Sequence, residues 1–319
     1  MTRIGATALL AAVVVALQAP LFRFHTDEFW LNVHHFLYVL GRAEAKTPDA
    51  ARDAVAGAPA DAARGVATLS PDEQNTWKDA VAFYAAGPST KDAIFDSQLP
   101  KIAHALAEAG DRTNLSSAPS IDRDLRAVLE RAAPLYRRTW WAAHRAANVE
   151  WRDAVQTLVE RHGEAVHAFI VRAYGMEWPA DGFPVHLSGY ANWAGAYSTD
   201  GNLLVVSGLD RGTRGLSGLE TVFHEAMHQW DDPIQKLLSD HARRSGKRVP
   251  PGLSHALIWA TAGEAVRRVS PGYVPNAETF GIWQRGMQPL KASIDAAWKP
   301  YLAGQGTRDD AFAALIAKF

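Results

Sequence analysis

The sequence predicts an α+β fold, mostly helical, in which an all-α region precedes a small sheet with a hairpin. Three observations carry that reading. From Leu21 to about Ala133 the chain is rich in alanine, with apolar residues at helical spacing and no sustained alternation. Between Phe183 and Val206 the period shortens to that of strands, in FPVHLSGY and NLLVV. After those strands helical spacing returns, in stretches bounded by glycine and proline.

The 319 residues are 48% hydrophobic and 21% charged, which supplies a real core and argues against disorder. A formal net charge of −1 gives no basic footprint, so no nucleic-acid partner is expected. There is no cysteine, so any metal has to be held by His, Asp or Glu.

The opening MTRIGATALLAAVVVALQAP has one arginine and then an apolar run from Ile4 to Leu17. This is the layout of a signal peptide, and residues 1–19 are read as a leader for export to the periplasm or medium. An uncleaved N-terminal anchor is the alternative, and the one route by which a membrane would enter; a buried helix is the third reading.

Helices are expected at about 26–45, 71–86, 91–110 and 121–133, separated by clusters such as GPST and SSAPS. A longer helix starts near Pro134. Its apolar stripe runs through Trp140, Trp151, Val155, Val166 and Phe169 to a stop at Gly175, with Gly163 as a possible kink. Asp200-Gly201 marks the hairpin turn in GAYSTDGNLLVV. Ser217 and Glu220 then form a capping-box pattern, opening a helix over about 218–231 that ends before Pro233. A last clear helix spans about 252–269. The chain thus divides into residues 1–19, a helical region 20–133 and a mixed region 134–319 that carries the strands.

The chemistry sits in FHEAMHQWDD. On a helix, residues four apart share a face, so His224 and His228 can address one ion. Glu225 lies about 100° round the axis, beside the ion and free to act as general base. This pattern points to zinc (Zn2+) with a carboxylate activating water. A catalytic zinc takes three protein ligands and keeps one position open. The candidates for the third are Asp231, Asp240, His241, His255, Glu264 and Glu278. Asp231 is too close along the helix and suits the free N–H of a ligand imidazole. His241 falls in the polar, basic loop DHARRSGKR and is expected to be solvated. Glu264 is a carboxylate within the apolar run HALIWATAGEAV, costly to bury unless paired or metal-bound. It is the preferred ligand, against a helix-end salt bridge with Arg267 or Arg268. His255, nine residues earlier and half a turn out of phase, is read as a core or supporting histidine.

With His224, Glu225, His228 and Glu264 in this order, the chain resembles the gluzincin metalloproteases, the thermolysin-like clan. The resemblance covers roughly residues 134–285 and implies a zincin-like catalytic domain, a zinc peptidase and a peptide or protein substrate. It departs at Arg268, where that clan has an aspartate, and in the 36-residue interval from His228 to Glu264. It also implies a Tyr or His that stabilises the oxyanion, a role open to Tyr273 against simple loop packing. Trp193, before the hairpin, is a candidate subsite residue or a packing one. A zinc-binding or scaffolding module without turnover is the alternative function. In FHTDEFWLNVHHFLYVLG, His25, Asp27, His34 and His35 are poorly spaced for chelation. That helix is expected to pack across the catalytic domain, with one histidine reaching the cleft.

Overall fold

The computed structural model describes residues 19–45, 57–116, 118, 120–192 and 194–319. The reading of residues 1–19 as leader or anchor falls almost wholly outside these, as does Trp193. No helix among the described residues is long and apolar enough to cross a membrane.

The architecture is α+β, mostly helical, with one four-stranded mixed sheet. Strand β1 (Phe22–His25) leads into helices α1 (Phe29–Glu44), α2 (Ala58–Val66), α3 (Pro71–Ala86), α4 (Leu99–Ala109) and α5 (Arg123–Tyr136). A π-helical turn, Arg137–Trp141, joins α5 to the long α6 (Ala142–Tyr174). Strands β2 (Phe183–Ser188), β3 (Ala196–Thr199) and β4 (Leu203–Ser207) follow. Then come α7 (Leu216–Met227), α8 (Asp231–Ser245), α9 (Leu253–Val269), the short α10 (Asn276–Thr279), α11 (Gln288–Leu302) and α12 (Arg308–Ala317).

The sheet order is β1-β2-β4-β3, with β1, β2 and β4 parallel and β3 antiparallel at one edge. All five residues of β4 are buried, because the sheet is covered on both faces. Leu204 and Val206 face a core built with α6, α7, α9 and α11. Leu203 and Val205 face a second core built with α1, α3 and α5. The strand alternation that elsewhere separates core from solvent here separates two cores.

Four local readings are corrected. Residues 22–25 were expected among helices, yet they pair in parallel with Phe183–His186 and sit in the sheet of the later part of the chain. The helix break at Pro134 does not occur: Pro134 lies inside α5, and the π-helical turn that follows carries the chain into α6 without an end. Ser217 and Glu220 form no capping box. The residue before α7 is Gly215, at φ +62, which a side chain would strain. Ser217 Oγ instead donates to Asn276 Oδ1 at 2.6 Å, and Glu220 is fully buried. Finally, DHARRSGKR is helical as far as Ser245, and His241 is buried beside Asp309, at 3.0 Å.

Candidate metal centre

Helix α7 ends at Met227 and passes through a 3₁₀ turn, His228–Trp230, into α8. Pro233 falls in the first turn of α8, where its missing N–H would have no partner in any case, so it opens a helix as well as closing one. The hairpin holds this corner. Gln229 Nε2 donates to Ser198 Oγ at 2.6 Å and to Thr199 O at 3.0 Å, while Gln229 Oε1 accepts from Asn202 N at 3.0 Å. Edge strand β3 therefore runs directly beside the turn that carries His228.

His224 and His228 share a face as their spacing predicts, with Nε2 atoms 3.1 Å apart. The third member is His255 from α9, whose Nε2 lies 3.4 Å from that of His224. Ligand atoms of these three residues all lie within 4.8 Å of one another, and they form the only such group among the described residues. Nitrogens bound tetrahedrally at about 2.0–2.1 Å from zinc stand roughly 3.3 Å apart. His224 Nε2 already stands at about that distance from each of the other two, and three neutral-capable imidazoles are a donor set that fits zinc.

Glu264 does not join it. Its carboxylate is held by Arg267 and lies 3.6 Å from Arg268 Nε. His255 and Glu264 are nine residues apart on one straight helix, so only one can face α7, and packing turns His255 inward. The salt-bridge reading of Glu264 is the one the structure bears out. Gly263 does allow a close approach, chiefly to Pro275: a Cβ there would lie 2.5 Å from Pro275 Cβ and 3.5 Å from Glu220 Oε1.

Tyr273 is also elsewhere. Its hydroxyl donates to Asn276 Oδ1 at 3.1 Å, in a network whose centre is Glu220, one turn back along α7 from His224. Asn276 N–H donates to Glu220 Oε2 at 3.0 Å, and burial pushes the Glu220 carboxyl up to about 7. Burial beside Glu220 drives the Tyr273 hydroxyl well above the ordinary tyrosine range, so it stays a neutral latch on the loop after α9.

Asp231 takes the expected role, accepting from His228 Nδ1 at 2.7 Å. Burial works to lower the His228 pKa, but Asp231 and Glu225 outweigh it and the net shift is upward. Burial, with His228 nearby, lowers His255 to about 4. His224 falls well below its ordinary value for the same reason, reinforced by both other imidazoles. Two of the three are therefore neutral and ready to bind a cation at pH 7. His228 would offer its Nε2 to the cation while Asp231 holds the Nδ1 proton in place. Glu225 is buried, and burial raises its carboxyl to about 7. A bound cation would oppose that rise.

The N-terminal histidines serve the fold. His34 Nδ1 meets Tyr84 OH at 2.7 Å, and His35 Nε2 meets Tyr197 OH at 2.8 Å, both buried and neither in the triad. His25 stacks on its strand partner His186, whose Nδ1 bonds Glu28 at 2.7 Å. Asp27 pairs with Arg145. The residues that sequence reading undervalued are His255 and Trp259, whose ring centroid lies 3.9 Å from that of His224. Their four-residue spacing in α9 was the available signal. Comparison with family models, with curated proteins and with solved structures finds no match.

Proposed function

We propose that the protein is a zinc-dependent hydrolase of the zincin type, acting on peptides, with His224, His228 and His255 as ligands. The observation that carries this is the convergence of three imidazoles within 4.8 Å, two of their pairs at 3.1 and 3.4 Å, with the buried Glu225 carboxyl in electrostatic reach of His228. The third ligand is thus a histidine, and the narrower likeness to the glutamate-ligand clan loses its distinguishing residue.

Zinc in this cradle would supply a Lewis acid for the scissile carbonyl and acidify an attacking water. Glu225 takes the proton of that water and returns it to the leaving amine. Asp231 fixes the orientation of the His228 ring, and the α7–α9 packing fixes His255. A peptide is the favoured substrate because β3 presents a free edge next to the His228 turn, and among the described residues no strand pairs with that edge. From the apolar run Ile4 to Leu17, as leader or anchor, we infer a workplace outside the cytoplasm.

The test is cleavage of a broad peptide library by zinc-loaded protein. Cleavage that is abolished by a chelator, restored by zinc and lost in Glu225→Gln supports the reading. Zinc binding without any cleavage would instead favour a binding module, and equal cleavage by the Glu225→Gln variant would sink the mechanism.

A further inference from the structure

Trp259 sits one helical turn beyond His255 on α9. Its indole centroid is 3.9 Å from the His224 ring, tilted by 40°, and 5.7 Å from the His255 ring. His224 Nδ1 is buried and has no hydrogen-bond partner among the described residues. A metal-binding imidazole as a rule donates its second N–H to a carboxylate, a carbonyl or water. His228 has Asp231 for this purpose; His224 has an indole face. The indole N–H is itself buried without an acceptor among the described residues. A buried tryptophan ordinarily finds one, so what this side chain offers its surroundings is its face.

Resting on the zinc reading, we propose that Trp259 is a positioning residue for the metal, its π face serving His224 as the Asp231 carboxylate serves His228. An imidazole that gives electron density to a cation becomes electron-poor, and the negative face of an aromatic ring stabilises it as it stabilises other cationic groups. Packing at 3.9 Å also holds the ring so that Nε2 points at the other two nitrogens. His224 and His228 thus have supports of different chemistry, one aromatic and one ionic.

The experiment measures zinc affinity by competition with a chromophoric chelator, together with the visible spectrum of the cobalt-substituted full chain. The variants are Trp259→Phe, which keeps an aromatic face and drops the idle N–H, and Trp259→Leu and Trp259→Met, which keep apolar bulk alone. Leu and Met should weaken zinc by about ten- to a hundredfold and shift the cobalt bands, while Phe stays within a few-fold of wild type. A purely structural tryptophan would alter melting without separating Phe from Met. Wild-type affinity in a folded Leu or Met variant overturns the proposal, and so does a Phe variant as impaired as Met. Should the wild-type chain bind no zinc, the metal reading fails with it, a result seen before any variant is compared.

Discussion

His255 Nε2 lies 3.4 Å from His224 Nε2, closing with a residue of α9 the cluster that His224 and His228 begin. Thirty-one residues separate the two histidines, so this contact belongs to the packing of two helices and to no local motif. It decides which substitutions remove the metal. His255→Ala should lower bound zinc from about one per chain to a small fraction, whereas Glu264→Gln should leave it unchanged. Glu264 is part of a partly exposed ion pair, so its loss should cost no more than about 1 kcal/mol of stability. Elemental analysis after dialysis, with urea unfolding of both variants, reads the two outcomes. Zinc lost from Glu264→Gln and kept by His255→Ala would reverse the assignment.

Glu225→Gln keeps the side-chain volume and removes the proton acceptor. Hydrolysis should fall by roughly a hundred- to ten-thousandfold with zinc content unchanged. Rates at equal metal loading check this; a variant that retains the wild-type rate excludes Glu225 as the base.

Tyr273→Phe separates structure from chemistry. The lost hydroxyl bonds Asn276, so stability should drop by about 1 kcal/mol while kcat stays within a few-fold. A hundredfold loss of kcat at full zinc loading would return Tyr273 to the active site.

The histidines of α1 make the fold sensitive to acid. Burial lowers His34 from 6.5 to about 4, and His35 is lowered well below its ordinary value by burial, with His34 and His186 adding to it. A histidine depressed in the folded state contributes stability above its unfolded pKa. That contribution is lost as pH falls from 6.5 through 4, when the unfolded chain takes up protons that the folded chain refuses. At about 1.4 kcal/mol per pH unit, His34 alone accounts for roughly 3 kcal/mol. His34→Asn, which keeps an acceptor near Tyr84 OH, should be less stable at pH 7 but lose less between pH 6.5 and 4. Chemical unfolding of both proteins without metal, across that range, checks the slope. Parallel curves would show that His34 titrates normally in the folded chain.

The sequence by itself determined what depends on neighbours a few residues away. The four-residue spacing of His224 and His228 and the position of Glu225 between them follow from helical geometry. So do the α3 boundaries, which match the expected 71–86, and the hairpin turn, where Gly201 and Asn202 both have positive φ. Only the tertiary structure decided the rest. FRFH is too short to show an alternation, and it becomes a strand because Phe183–His186 offers it a parallel edge. Ser217 and Glu220 match a capping box, but Asn276, more than fifty residues on, draws both into another network. His241 reads as solvated until α12 brings Asp309 against it. The choice between His255 and Glu264 is the clearest case. Both are sound ligands on one helix, and which one faces α7 is set by how α9 rolls against its neighbours. That roll is the sum of apolar contacts spread over the whole later core, and no single stretch of the chain encodes it.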